Sequence, residues 1–235
     1  MTAHGITEPQ IHGWAEQAGI EFSTVTFPKN VGIFAQGDAS DVVYIVQRGW
    51  VHLTHVAEDG RSFLIRLLGP GNVLGKSALL NGAWSRRAHA QTLQPTRLLQ
   101  FDPRDLLTLV AQSDEGLRSL TTLLIEESYE LQARLLAAAS GNLDEELAVL
   151  LWFLQRRFGR DRSTGDIVIE PKLTVTTLGK MLGHSRQRVN GAVLRLERWN
   201  VLTRRSGWIT ILDLPQLQQT AMPFLEGGGW SMSRM

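Results

Sequence analysis

The pattern of apolar residues changes once along the chain, at Asp102-Pro103. Before this point, from Val25 to Phe101, short β-rich runs alternate with glycine turns; the runs are 42–46, 50–53, 62–68 and 97–101. Strands at such regular spacing predict a barrel or a sandwich. Aspartate followed by proline is typical of a helix start, and the apolar residues beyond it recur at helical spacing. The chain is therefore expected to have an α+β fold with its β domain first.

A narrow apolar stripe predicts a long helix after a break near Ser113. Its members recur in steps of three, four and seven residues: Leu117, Leu120, Leu124, Leu131, Leu135 and Ala138. So narrow a stripe favours pairing with a second copy of the same helix, and the alternative is a helix within a core. Residues 140–142 are expected to form a hinge. A second helix is expected at 143–158 and a polar loop at 159–165.

Two short helices are predicted after this loop. The first is capped by Thr174 and ended by Gly183, and the second is capped by Ser185 and runs over residues 186–199. The inward face of the second helix is expected to comprise Val189, Val193, Leu194 and Leu196. Two helices joined by a short turn containing glycine are typical of a helix-turn-helix.

Polar residues at the start of the second helix predict binding to double-stranded DNA. In the major groove arginine pairs with guanine, and asparagine or glutamine with adenine. A hairpin over residues 200–212 would add a basic wing that contacts phosphates. Residues 172–212 hold eight basic residues and one acid, although the net charge of the chain is only +1. The candidate DNA-binding residues are Thr174, Thr176, Ser185, Arg186, Gln187, Arg188, Asn190, Arg204 and Arg205.

The composition argues against several other classes of protein. The chain has no cysteine, which removes disulfides, thiolate metal sites and cysteine-held iron–sulfur clusters. No apolar run reaches the roughly 18–20 residues that span a bilayer, and the first residues lack the pattern of a secretion signal. A cytoplasmic location without membrane association is therefore expected. The sequence shows no metal-ligand spacing and no catalytic motif, so neither an enzyme nor a metal site is predicted.

Five short segments carry a resemblance to a known family. They are 36–38 (QGD), 44–51 (YIV, with Gly49 and Val51), 71–75 (GNVLG), 86–88 (RRA) and 183–189 (GHSRQRV). In these residues the chain resembles the Crp/Fnr family of bacterial transcription regulators. The resemblance implies an N-terminal antiparallel β-roll (a double-stranded β-helix) of the cyclic-nucleotide-binding type, a long dimerisation helix and a C-terminal winged helix-turn-helix. The predicted domains are 1–112, 113–141 and 142–235, the last including a C-terminal tail.

The resemblance also implies partners and base-reading positions. A homodimer would bind a palindromic DNA site and would contact RNA polymerase. By position, Arg186, Gln187 and Gly191 occupy the principal base-reading places of the cyclic-AMP-responsive branch. Gly191 has no side chain with which to contact a base. Arg188 or Asn190 would have to compensate, and the DNA target is expected to differ from the site of that branch.

An effector site in the β-roll is implied as well, with departures from the cyclic-AMP pattern. The residues that correspond to it are Gly75, Lys76, Ser77, Ala78, Arg86, Arg87, Leu131 and Gln132. Arg86 matches the phosphate-binding arginine. Lys76 stands at a glutamate position, Arg87 at a serine position, and Leu131 with Gln132 in place of a threonine–serine pair. The added cations favour a more anionic effector, such as a cyclic dinucleotide or a pyrophosphate-bearing nucleotide.

Three interpretations of the β-roll stay open at this point. It binds an anionic nucleotide-like effector, or it is a vestigial pocket in an effector-independent regulator. Alternatively, the chain is a nucleotide-binding regulatory module that acts on a protein partner. The last interpretation gives no purpose to the polar residues 185–190 or to the basic wing.

Overall fold

Contacts divide the chain into two units, Met1–Leu124 and Ile125–Met235. The computed structural model describes residues 6, 8–80 and 84–225. The ends of the predicted outer domains, 1–5 and 226–235, lie outside the described residues, as do residues 7 and 81–83. The predicted domain boundaries after residues 112 and 141 stay predictions.

Two antiparallel four-stranded sheets form the centre of the first unit. The strands are β1 Ser23–Phe27, β2 Gly32–Phe34, β3 Val43–Arg48, β4 Val51–Val56, β5 Ser62–Leu68, β6 Val73–Leu74, β7 His89–Thr92 and β8 Thr96–Phe101. Their orders are β1-β8-β3-β6 in one sheet and β2-β7-β4-β5 in the other. The four runs read from the sequence correspond to β3, β4, β5 and β8, which confirms the predicted β domain.

Two helices pack into the core of this unit. The helix α1 Glu8–Ala18, which the sequence analysis did not predict, buries Ile11 and Trp14. The helix α2 Pro103–Ala111 buries Leu106 and Leu109 in the same cluster. The carboxylate of Asp102 accepts a hydrogen bond from the backbone N–H of residue 104 at 2.8 Å, which confirms the predicted helix start.

The longest helix, α3 Asp114–Ser140, continues from the first unit into the second. In the predicted apolar stripe Leu120 is buried, whereas Leu117, Leu124, Leu131 and Leu135 are exposed. Gly141 adopts a positive φ of 72° immediately after α3. Asn142 then caps the next helix, α4 Leu143–Phe158, which confirms the predicted second helix, whereas the hinge at residues 140–142 stays a prediction.

The second unit adds a small sheet and three helices. Its strands are β9 Gly159–Asp161, β10 Ile167–Ile169, β11 Leu202–Arg205 and β12 Trp208–Ile211, in the order β11-β12-β10-β9, and its helices are α5 Val175–Leu182, α6 Arg186–Arg198 and α7 Leu214–Ala221. The predicted loop at 159–165 is wrong for its first three residues. They form β9 because their backbone pairs with β10, although their side chains are partly or fully exposed. Among the residues described, no helix is long and apolar enough to cross a membrane.

Candidate DNA interface and effector site

Local capping builds the helix-turn-helix as the sequence predicts. The hydroxyl of Thr174 accepts a hydrogen bond from the N–H of Thr177 at 3.0 Å at the start of α5. The hydroxyl of Ser185 accepts one from the N–H of residue 188 at 3.4 Å at the start of α6. Gly183 ends α5 with a φ of 72°, a left-handed conformation that glycine adopts without steric penalty.

One face of α6 packs into the unit and the other faces solvent. Val189, Ala192, Val193 and Leu196 are completely buried. Leu194, which was expected on this face, is 44% exposed, and that assignment is wrong. The reason is helical geometry, because residues 189, 192, 193 and 196 follow the helix repeat while residue 194 is rotated about 100° beyond residue 193.

The predicted base-reading residues emerge from the exposed side of the same helix. Ser185, Arg186, Gln187 and Arg188 are all exposed. Within the described part of the chain, the side chains of Arg186 and Gln187 have no intramolecular hydrogen-bond partner, so both are available to a ligand. Thr174 and Thr176 are exposed on the preceding helix. The structure thus brings these six residues to the first turns of two adjacent helices.

The two arginines of the wing differ in their contacts, because Arg204 is hydrogen-bonded within the protein and Arg205 is exposed. The guanidinium of Arg204 donates to the carboxylate of Glu197 from Nε at 3.1 Å and from Nη2 at 2.8 Å. Its Nη1 donates to Oδ1 of Asn190 at 3.0 Å. This contact orients the Asn190 side chain toward the wing, although an amide oxygen has a second lone pair that can still accept. Arg205 is exposed on the hairpin.

Two further polar contacts of α6 were not found from the sequence. Arg195 donates to the carboxylate of Asp144 from Nε and Nη2, both at 2.7 Å, and this pairing raises the pKa of Arg195. His184 contacts the buried carboxylate of Glu146 through Nε2 at 3.0 Å and Nη1 of Arg188 through Nδ1 at 3.2 Å. The first contact joins residues 51 positions apart and the second joins residues 38 positions apart, and sequence spacing carries no signal for such pairs.

An ion pair and a hydrogen bond also attach the second half of α3 to the helices that follow it. The carboxylate of Glu130 accepts a hydrogen bond from Nη1 of Arg157, in α4, at 2.7 Å. One turn later Arg134 donates from Nη2 to the backbone carbonyl of Met181, in α5, at 2.7 Å. Glu130 is 5% exposed, so the pair lies in a weakly screened environment. The segment of α3 within the second unit is therefore joined directly to the helix-turn-helix.

The effector site predicted in the first unit is organised around Arg86, which is 3% exposed. Its guanidinium donates to the carbonyl of Val42 at 2.6 Å and to that of Gly75 at 3.2 Å, and it lies 4.4 Å from the ring centroid of Phe34. Its Nε is buried without a hydrogen-bond partner among the described residues. Burial lowers the pKa of the Arg86 guanidinium. A buried cation with an unused donor is suited to binding an anion.

The other predicted effector residues differ from Arg86 in their surroundings. Gly75 has a φ of 82°, and a Cβ there would collide with Nη1 of Arg86. Lys76 donates from Nζ to the carbonyl of Val73 at 3.2 Å, and the hydroxyl of Ser77 lies 2.7 Å from that of Ser40. Ala78 packs against the core of the unit.

Arg87 is exposed, unlike the arginine before it. The remaining two candidates, Leu131 and Gln132, lie on α3 in the second unit and are both exposed. The amide of Gln132 donates to the hydroxyl of Ser128 at 3.3 Å. The role of these three residues in effector binding stays a prediction.

Both the N-terminal and the C-terminal part of the chain match known domain families. The cyclic nucleotide-binding domain family matches residues 24–113, and the Crp-like helix-turn-helix domain family matches residues 146–220. A CRP-like cAMP-activated global transcriptional regulator of Mycobacterium tuberculosis is 26% identical over 77% of this chain and 84% of its own length. The cyclic AMP receptor protein of Thermus thermophilus is 25% identical over 91% of this chain and 96% of its own.

Solved structures agree with this assignment. A transcriptional regulator of the CRP/FNR family from Thermus thermophilus matches with a TM-score of 0.67 and 26% identity over 85% of this chain and 98% of that one. FixK2 from Bradyrhizobium japonicum matches with a TM-score of 0.71 over 86% of this chain and 98% of its own. The latter is 19% identical and supports the fold alone. These matches confirm the predicted β-roll, long helix and winged helix-turn-helix.

Proposed function

Because the chain belongs to the Crp/Fnr family of transcription regulators, we propose that it is a homodimer that reads a palindromic DNA site and responds to an anionic effector in its β-roll. Its second unit carries the DNA-binding surface, and its first unit carries the effector site. Since its target is genomic DNA, its place of action is the cytoplasm. No catalytic step is part of this proposal.

The observation that carries the DNA-binding proposal is the exposed first turn of α6. Arg186 and Gln187 project there without intramolecular partners among the described residues, at the end of the helix where base edges are contacted. The exposed Arg205 of the wing, and the exposed Lys180 of α5, add positive charge around this turn. Base reading and phosphate contact are thereby assigned to different side chains.

The exposed leucines of α3 support the homodimer. Four residues of one stripe, Leu117, Leu124, Leu131 and Leu135, are between 45% and 72% exposed in the single chain. A second copy of α3 would cover them in a parallel pair and would place two recognition helices about a two-fold axis. A palindromic site follows from that symmetry. A regulator bound in this way at a promoter is expected to contact RNA polymerase.

Arg86 supports the effector part of the proposal. Relatives named above are called cAMP-activated and a cyclic AMP receptor. The buried guanidinium of Arg86, with its unused Nε, would bind one phosphate group of such a ligand. Its hydrogen bonds to backbone carbonyls would be replaced by hydrogen bonds to the phosphate. Since Arg87 is exposed and Lys76 is bonded to a carbonyl, Arg86 is the residue to which we assign the anion. We expect an anionic nucleotide other than cyclic AMP, because Lys76 and Arg87 replace an acceptor and a neutral donor.

Two experiments test the proposal. A gel-shift assay on genomic fragments should show sequence-selective binding that weakens with salt, and no sequence preference would overturn the regulator function. A thermal-shift screen of nucleotides, cyclic dinucleotides included, should show a rise in Tm for the effector. The rise should be lost in Arg86→Ala and kept in Arg61→Ala, which removes an exposed arginine of the same unit outside the candidate site. If no nucleotide raises Tm but DNA binding is intact, the chain is an effector-independent regulator.

A further inference from the structure

An open cleft in the second unit lies beside the base-reading end of α6. The α3–α4 turn forms one side of it, and Gln187, Arg188, Gly191 and Arg195 form the other. A Cβ at Gly191 would meet only Nη1 of Arg195, at 3.6 Å, which is ordinary van der Waals contact. Neither packing nor a positive φ therefore requires glycine here. Its effect is to leave α6 without a side chain where the helix faces the cleft.

The two arginines of this cleft are in different electrostatic states. Arg195 is held at both Nε and Nη2 by the carboxylate of Asp144, at 2.7 Å each, so its charge is compensated inside the protein. Arg188 is exposed and its guanidinium contacts Nδ1 of His184, at 3.2 Å. No carboxylate among the described residues pairs with Arg188. The uncompensated positive charge at the cleft is therefore on Arg188.

The two hydrogen-bonding neighbours of His184 indicate which tautomer of the ring fits them. An arginine only donates, so Nδ1 of His184 must accept and carry no proton. Its Nε2 then carries the proton and faces the two carboxylate oxygens of Glu146 at 3.2 and 3.0 Å. Glu146 is 6% exposed within α4. One tautomer of the ring thus satisfies both neighbours, and a buried carboxylate orients that ring.

We propose that Arg188 reads a guanine next to the gap at Gly191, and that His184 is the positioning residue that orients Arg188 before DNA binds. With Nη1 anchored on His184, Nε and Nη2 remain free to donate in parallel to O6 and N7 of guanine. Holding the side chain in advance lowers the entropy lost on binding. The side chain of Asn190 is instead oriented toward the wing, because its amide oxygen accepts from Arg204. The inference rests on the proposed DNA-binding function.

The histidine offers a matched pair of substitutions for the test. The amide of His184→Gln can still donate to Glu146, but the acceptor that faces Arg188 is lost. His184→Asn keeps an acceptor close to the position of Nδ1 and loses the contact with Glu146. The first variant therefore removes the contact that positions Arg188, and the second removes the contact between residue 184 and Glu146. Thermal melts of both variants measure the stability that Glu146 contributes.

The experiment first selects the preferred site of the full-length protein from randomised duplex DNA. Kd is then measured for that site and for every single-base-pair change in one half-site. We expect Arg188→Ala to lose discrimination at one G·C pair by roughly 5- to 150-fold. His184→Gln should lower discrimination at the same pair, and His184→Asn should retain it. In the Arg188→Ala background, His184→Gln should have no further effect at that pair.

Several results would overturn the inference. A loss in Arg188→Ala that is equal for all sequences would make Arg188 a phosphate contact. A uniform loss in His184→Gln, or an undiminished effect in the Arg188→Ala background, would make His184 merely structural. A wild-type protein without any sequence preference would overturn the proposed function itself. Should the histidine variants not fold, ring-nitrogen NMR of the wild type decides, since a Nδ1–H or doubly protonated His184 at neutral pH contradicts the proposal.

Discussion

Arg204 in the wing and Glu197 in α6 form a two-point ion pair, with Nε–Oε1 and Nη2–Oε2 distances of 3.1 and 2.8 Å. The backbone N–H of Arg204 donates to the same carboxylate at 3.1 Å. Both side chains are about one-quarter exposed. The pair therefore fixes the β-hairpin to α6. Arg204 and Arg205 were both expected to contact phosphates, and the structure gives only the first of them an internal partner.

Replacing Arg204 by alanine should lower the free energy of unfolding of the protein by about 1–2 kcal/mol, because it leaves a mostly buried carboxylate without its guanidinium partner. The matched control is Arg205→Ala, which removes an exposed side chain and should change the same quantity by less than about 0.5 kcal/mol. Urea unfolding followed by circular dichroism measures both. Equal losses in the two variants would show that the ion pair contributes nothing specific.

Arg205→Ala should weaken DNA binding by a similar factor for every sequence. An exposed arginine on a wing contacts the phosphate backbone, which carries no sequence information. The slope of log K against log salt concentration should fall by about 0.9, the value for one phosphate contact. Fluorescence anisotropy at several salt concentrations measures this slope. A loss confined to particular sites, with an unchanged slope, would contradict the assignment to phosphate.

Gly75→Ala should destabilise the first unit more than Gly60→Ala does. Both glycines have a φ of 82°, so the backbone strain of about 1–2 kcal/mol is common to the two variants. A Cβ at Gly60 meets nothing within 4 Å, whereas at Gly75 it collides with the guanidinium of Arg86. The difference in unfolding free energy therefore reports the crowding around Gly75, where Arg86 is the nearest neighbour. In the Arg86→Ala background the cost of Gly75→Ala should shrink but not vanish, because the carbonyl of Val42 also lies 3.0 Å from that Cβ. An undiminished cost would show that the guanidinium does not cause the clash.

The parts of this fold that are set locally could be predicted from the sequence, and the parts set by distant pairs could not. The hydroxyls of Thr174 and Ser185 cap helices within three residues of themselves, so the bounds of α5 and α6 follow from short-range patterns. The Glu146–His184 pair joins residues 38 positions apart, and nothing near either residue indicates it. The strand β9 was missed because backbone pairing, and not side-chain alternation, defines it.

Leu135→Lys should weaken the dimer. Leu135 is 72% exposed in the single chain, and burial of one leucine contributes about 1.5–3 kcal/mol. Since two-fold symmetry changes the interface twice, Kd for dimerisation should rise by at least roughly 100-fold. Sedimentation equilibrium measures it. Thr122→Lys is the control, because residue 122 is exposed but lies about 140° around α3 from the stripe. If both substitutions raised the Kd for dimerisation equally, the stripe would not be part of the interface.

Arg186→Ala should cost about 1–3 kcal/mol of binding free energy on the preferred site and should relax discrimination at one base pair of each half-site. Arg186 is exposed and has no intramolecular partner within the described ranges, so its removal should leave the unfolding free energy unchanged. A loss of DNA binding in Arg186→Ala can therefore be assigned to base reading, whereas Arg204→Ala is expected to change stability as well. Arg61→Ala, an exposed arginine of the first unit, is the control for lost charge and should bind as the wild type does. A uniform loss over all sequences, or an unchanged preference, would refute Arg186 as a base reader.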